Sequence, residues 1–198
     1  MDDPYLYPGT DVLRNKENIR KKDELEALER LHSADRLLTL PHNLPITASG
    51  YREIHRYIFQ DVYDWAGVPR TCPLALRNQM FALAPFVESE LAKRFEAINA
   101  EDNLRGLDAG RFAARAAEHI CELNAIHPFR EGNGRTMRAF LNVLAKQAGH
   151  EIDLTRIDAQ AWNVASIEGF FTQDYRPMRD VIAGALVEPD PEHQAASE

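Results

Sequence analysis

HPFREGNGRTMR, residues 127–138, lies between two apolar helical stretches and brings together a proton acceptor, a carboxylate, a glycine turn and two arginines. Gly132-Asn133-Gly134 leads into a helix start. Glycine reaches positive φ without penalty and allows close approach of a ligand. The first amides of a helix have no internal partners and, with the helix dipole, form an anion site. Taken alone, GNG also describes an ordinary tight turn. Arg135 and Arg138 weigh against that reading, because two cations at the positive end of a helix dipole are unfavourable unless an anion joins them. Arginine suits phosphate through its planar two-pronged donor. Glu131 is placed to be the single carboxylate that a phosphate-bound magnesium ion needs. A neutral His127 can accept a proton from a hydroxyl near pH 7. Phe129, apolar among polar neighbours, should turn inward and anchor the loop. The chemistry implied is attack of a hydroxyl on a polyphosphate, and the spacing leaves open which phosphorus is attacked.

Outward from this stretch the pattern is helical. Phe112, Ala116, Ile120, Leu123 and Ile126 recur at steps of three and four, predicting a helix over Ala109–Ile126 that stops before Pro128. A helix from near Gly134, with Met137, Leu141, Leu144 and Ala148 on one face, should end at Gly149. Leu25, Leu28, Leu31 and Leu38 suggest a helical stripe from Lys21 to about Leu40, broken by Pro41 and Pro45. Ser49-Gly50 opens a helix carrying Ile54, Ile58 and Phe59. Val87, Leu91, Phe95 and Ile98 mark another, and one or two more should cover 156–187. Between 66 and 85 no helical stripe survives. Leu74 and Leu76, then Met80, Phe81 and Leu83, read as two extended arms around Arg77-Asn78-Gln79. The expected fold is therefore mostly α, with one small β element. It is expected as a single domain over 1–187, with an irregular arm at 1–18 and a disordered tail at 188–198. Tyr5 and Tyr7 read as arm tyrosines, and Trp65 and Trp162 as core.

The chain has 198 residues, 44% of them hydrophobic, enough for a real core. A net charge of −8 opposes general nucleic-acid binding. Cys72 and Cys121 stand outside any zinc spacing, as do His32, His42, His55, His119, His150 and His193. The two cysteines read as reduced thiols. The opening MDDPYLYPGTD does not resemble a signal peptide, and no apolar run reaches membrane-spanning length. The expectation is a cytoplasmic protein with neither nucleic acid nor membrane as partner.

The segment 127–138 resembles the Fic motif, His-x-Phe-x-(Asp/Glu)-Gly-Asn-Gly-Arg-x-x-Arg, at every fixed position. DPYLYPGTDVLRN near the start, DVYDWAG at 61–67 and ELNAIHPFREGNGR at 122–135 are similar to toxin-type Fic proteins. The resemblance implies a helical bundle with the active-site loop between two central helices and a small β-hairpin flap at about 70–83. It implies transfer of AMP from ATP to a Tyr, Ser or Thr hydroxyl of a target protein, with attack on the α-phosphorus. His127 would be the base and Glu131 the Mg2+ ligand. Gly132, Asn133 and Gly134 would form the anion hole, and Arg135 and Arg138 would hold the β- and γ-phosphates. Arg77 and Phe81-Ala82 match the flap positions that hold a target by strand addition. The flap departs from the usual pattern in two ways: Pro73 removes a donor, and the basic residue stands one position closer to Phe.

The resemblance also implies regulation. Many Fic proteins carry (Ser/Thr)-x-x-x-Glu-(Gly/Asn), whose glutamate pairs with the second motif arginine. Here Glu17-Asn18, Glu131-Gly132 and Glu168-Gly169 are preceded four positions earlier by Leu13, His127 and Val164. Ser166-Ile167-Glu168-Gly169 has the wrong spacing. The expectation is a small antitoxin that supplies the glutamate in trans to Arg138, with gyrase B or a topoisomerase IV subunit as target. Alternatives are a kinase or phosphocholine transferase on the same scaffold, or a nucleotide-binding interaction module. Doc-like kinases depart from the pattern within GNGR, which this chain keeps whole. A de-AMPylating enzyme is disfavoured because that activity leans on the inhibitory glutamate.

Overall fold

A computed structural model describes residues 3–187. In chain order it contains α1 (Lys22–Leu38), α2 (Ala48–Phe59), the hairpin β1 (Ala75–Leu76) and β2 (Gln79–Met80), α3 (Val87–Ala100), α4 (Ala109–Ile126), α5 (Asn133–Ala148), β3 (Glu151–Ile152), α6 (Ala159–Thr172), α7 (Arg176–Ala185) and β4 (Leu186–Val187). The expected tail at 188–198 lies outside the described residues.

α4 is the centre of the bundle. It packs against α3, α5, α6 and α7, and its buried residues, including Phe112, Ala116, Ile120, Leu123 and Ile126, surround the axis. A helix apolar on most sides must be covered on most sides. Its start is fixed by Asp108, whose carboxylate accepts from the amide of Arg111 at 2.8 Å. α5 buries Met137, Leu141 and Leu144 and ends at Gly149, which takes φ 89°. α2 packs on α1, α3 and α5 and begins at Thr47, whose hydroxyl accepts from Gly50 N at 3.1 Å. The four positions marked on α3, Val87, Leu91, Phe95 and Ile98, are all buried.

Four expectations need correction. The stripe assigned to α1 is wrong in phase: Leu31 and Leu38 are 69% and 86% exposed, and the inward side is Leu25, Glu29 and Ser33. The leucine spacing was outweighed by a polar contact to α5 described below. The hairpin turn is the pair Arg77-Asn78, with Gln79 already in β2 and Leu76 opposite it. A second β element exists, β3 pairing with β4, too short for periodicity to reveal. Finally, Tyr5 and Tyr7 are buried. The arm is tied by a bridge between Leu6 and Leu13, Tyr5 packs edge-on to Trp65 at 5.4 Å, and Arg20 lies over Tyr7 at 3.5 Å. Trp162 is core, as expected, at 1% exposure. No helix of the described residues is long and apolar enough to cross a membrane.

Candidate active site

The site forms where α4 ends and α5 begins. A helix leaves its last four carbonyls without partners inside it. In α4 each finds a donor beyond the helix. The amide of His127 donates to Leu123 O at 3.0 Å, and His127 Nδ1 to Asn124 O at 3.2 Å. The amide of Ala82 donates to Ala125 O at 3.0 Å, and Arg70 Nη2 to Ile126 O at 3.2 Å. His127 itself is left-handed, φ 48° and ψ 62°. Pro128 disfavours the helical alternative, and the left-handed region costs a non-glycine residue roughly 1–2 kcal/mol. Phe81 stacks on the imidazole with ring centres 4.0 Å apart. A carbonyl can only accept, so Nδ1 carries the proton and the neutral ring keeps its lone pair on Nε2. Burial pulls the His127 pKa down to about 4; the bond to Asn124 works the other way, and the Arg70 charge adds to the lowering. His127 is therefore a neutral base across the physiological range.

The loop after it is braced from inside. Phe129 is fully buried. Asn133, expected in the anion hole, spends its side chain on the loop: Oδ1 accepts from Phe129 N at 3.0 Å, and Nδ2 donates to Phe129 O at 2.8 Å. His55, set aside in the sequence for want of metal spacing, lies against Phe129 with centroids 3.8 Å apart. Its Nδ1 accepts from Gly67 N at 2.8 Å, so Nε2–H faces the carbonyl of Glu131 at 3.0 Å. Gly132 takes φ 82°, and Thr136 N closes on Gly132 O at 3.0 Å. Ahead of that bond, the amides of Asn133, Gly134 and Arg135 find no acceptor among the described residues. They are the open N-terminus that an anion would fill.

The two arginines differ. Arg135 is bound to Glu29 of α1 and donates to Ser33 Oγ at 3.1 Å, with its guanidinium 4.6 Å over Phe59. Tyr63 OH donates to the other oxygen of Glu29. Arg138 has no carboxylate partner among the described residues. It stands 5.7 Å over Trp162, and its Nη1 lies 4.0 Å from where a Cβ on Gly134 would be. Burial and then the neighbouring Arg135 lower its pKa. Glu131 has a half-exposed side chain; its Oε1 accepts from Gly132 N at 2.8 Å and lies 3.7 Å from Arg135. An open groove of about 560 Å³ joins Glu29, Ser33, Glu131, Arg135 and Arg138. One accessible carboxylate beside free amides suits a metal that arrives already bound to phosphates.

The flap residues lie close by. Phe81 and Ala82 touch the end of α4 as described, while Arg77 is exposed at the hairpin tip with φ 56° and its guanidinium 5.6 Å from the Phe171 ring. The sequence reading missed Glu29, His55, Arg70 and Tyr63. Only Glu29 and Ser33, four apart on α1, left a trace, as two polar residues in line with Leu25.

The buried histidines give a stability prediction. Burial, opposed by the Glu131 carbonyl and aided by Arg135, lowers His55 to about 3. Both His55 and His127 are depressed below their unfolded value of about 6.5. Their contribution is whole above pH 6.5 and is lost as pH falls towards 4 and 3, at up to about 1.4 kcal/mol per pH unit for each proton taken up. Urea unfolding at pH 7 and pH 5 should show lower stability at pH 5. Equal midpoints and slopes would refute it.

A left-handed histidine, an open helix N-terminus and an arginine with no carboxylate partner among the described residues meet in one helical domain. The Fic/DOC family model matches residues 45–145, and the chain belongs to that family. It is 37% identical over 171 residues to a probable protein adenylyltransferase, y4lH, of Sinorhizobium fredii, with 86% of this chain and 89% of that one covered. It is 36% identical over 168 residues to a probable protein adenylyltransferase, Fic, of Escherichia coli, covering 84% of each. Among solved structures, the BepC protein of Bartonella tribocorum with bound AMPPNP superposes with a TM-score of 0.85 at 27% identity, over 94% of this chain and 97% of that one.

Proposed function

We propose that this chain is a protein adenylyltransferase that moves AMP from ATP to a Tyr, Ser or Thr hydroxyl of another protein. The observation that carries this is the His127 tautomer: Nδ1–H is committed to Asn124 O, and Nε2 is left as a neutral base next to free amides and Arg138. The target hydroxyl oxygen attacks the α-phosphorus of ATP and its proton passes to His127 Nε2. The bond from that phosphorus to the oxygen bridging to the β-phosphate breaks, and pyrophosphate leaves. The amides of Asn133, Gly134 and Arg135 stabilise the charge on the phosphate oxygens. Arg138 takes the β- and γ-phosphate end. The resemblance puts Arg135 there too, but its fork is filled by Glu29 and Ser33, which favours Arg138 for direct contact. Glu131 would hold Mg2+, which when bound neutralises phosphate charge. The edge of the β1–β2 hairpin, with Arg77 at its tip, would hold the target backbone, while Phe81 and Ala82 secure its base to α4.

Two finer readings belong to this proposal. The chain acts in the cytoplasm as the toxin of a toxin–antitoxin pair, its partner bringing a glutamate to Arg138; that this arginine has no carboxylate partner among the described residues is compatible with such a contact. Its targets are gyrase B or topoisomerase IV.

The test is incubation with a cell lysate and ATP labelled at the α- or the γ-phosphate, followed by mass analysis of the labelled protein. Adenylylation carries the α label and adds the mass of AMP. Label from the γ position with the mass of phosphate would replace this reading with a kinase. No transfer from either position would leave a binding module.

A further inference from the structure

Arg70 has no part in the motif, yet it is 2% exposed and forms no ion pair with a carboxylate among the described residues. A buried guanidinium must be satisfied by hydrogen bonds, and here the partners are all carbonyls. Nη1 donates to Cys72 O at 2.8 Å and Nη2 to Ala82 O at 2.5 Å. Nε donates to His127 O at 2.7 Å, and Nη2 also reaches Ile126 O at 3.2 Å. Its own amide donates to Pro128 O at 2.8 Å. Cys72 and Ala82 flank the hairpin on its two sides; Ile126, His127 and Pro128 are the end of α4 and the start of the catalytic loop. A cation is also favoured at the negative end of a helix dipole.

We propose that Arg70 is a positioning residue that locks the hairpin to the catalytic histidine, so that a target lying on the hairpin is presented at a fixed distance from His127 Nε2. This rests on the adenylyltransferase reading. The reason for arginine is geometric. Four carbonyls, one on each side of the hairpin and two at the end of α4, are all met by the one Arg70 fork. A lysine ammonium has three donors at one point and cannot span them. The lock is reinforced by the Ala82 amide on Ala125 O at 3.0 Å and by Phe81 stacked on the imidazole. Hairpin, base and loop should therefore move as one body. Arg70 touches none of the groups that face the phosphates, so nucleotide binding should not depend on it.

The experiment has two arms. In the wild-type chain, native-state hydrogen exchange should give the amides of Phe81, Ala82 and His127 a common protection. An Ala82 amide exchanging at least about tenfold faster than that of His127 would mean the hairpin opens alone, which overturns the proposal without requiring activity or a variant. In Arg70→Lys and Arg70→Gln, kcat for AMP transfer to the lysate target should fall at least about tenfold. The KM for ATP and the affinity for AMPPNP should stay within about threefold, and Ala82 protection should drop towards that of an exposed amide. Full kcat in either folded variant overturns it, as does loss of AMPPNP affinity in step with kcat, which marks a general packing role. If the wild-type chain transfers no AMP, the functional reading fails, while the exchange measurement still decides the mechanical one.

Discussion

Replacing His127 with alanine is expected to lower AMP transfer by roughly 10²–10⁴-fold, the usual contribution of a positioned general base. AMPPNP affinity should hold within a fewfold, because the free amides of α5 and the Arg138 guanidinium are separate from the imidazole. The loss should appear in kcat. Alanine, however, also removes the Phe81 stack and the donor to Asn124 O, so some loss could come from loosening the hairpin. His127→Asn separates the two. Asparagine tolerates the left-handed conformation better than most residues and retains an N–H for Asn124, but it has no basic nitrogen. A fall of similar size in both variants assigns the effect to the lone pair on Nε2. Activity retained in His127→Asn would remove the proton-transfer step from the mechanism.

The sequence made the centre of the molecule legible because the centre obeys simple rules. Phe112 to Ile126 repeats at helical steps, Pro128 ends the repeat, and Gly132 and Gly149 bracket the next helix, so α4, α5 and the loop between them follow from local chemistry. Phe129 turned inward for the reason expected, an apolar residue among polar ones. What failed was whatever depended on contacts distant in the chain. The leucines of α1 suggested an apolar inner face. The inner face is instead set by Glu29 and Ser33 binding Arg135, a partner more than a hundred residues away. Tyr5 and Tyr7 lie in a stretch with no periodicity, and only the arrival of Trp65 and Arg20 buries them. The Asn133 side chain makes a local contact that the motif does not specify, holding Phe129 four residues away, while its backbone amide stays open. Arg70 and His55 carry no motif, since each acts on main-chain groups, and those are the same at every position of the chain.

Gly132 is the position where the same loop should prove most fragile as a structure. Gly132→Ala meets two independent costs. The backbone is at φ 82°, where a Cβ is strained by roughly 1–2 kcal/mol. A Cβ there would also lie 2.3 Å from Phe59 Cε2 and 2.4 Å from Cζ. That ring cannot simply retreat: it is fully buried, lies 4.7 Å from His55 and carries the Arg135 guanidinium above it. Forcing extra volume into such a contact costs about 1–3 kcal/mol more. The sum of about 3 kcal/mol corresponds to a fall in Tm of roughly 6–12 °C for a domain of this size. Gly106 provides the internal comparison. It sits at φ 71°, and a Cβ there would meet nothing within 4 Å, so Gly106→Ala carries the strain without the clash and should lose only about 1–2 kcal/mol. Phe59→Leu would cost stability by itself, but combined with Gly132→Ala it should cost less than the two added, because the ring that obstructs the methyl is gone. Strict additivity, or a Gly132→Ala variant as stable as Gly106→Ala, would show that the loop is not pinned against Phe59. Catalysis should decline with stability, since moving Phe59 shifts both the floor under Arg135 and the amides that open beside Gly132.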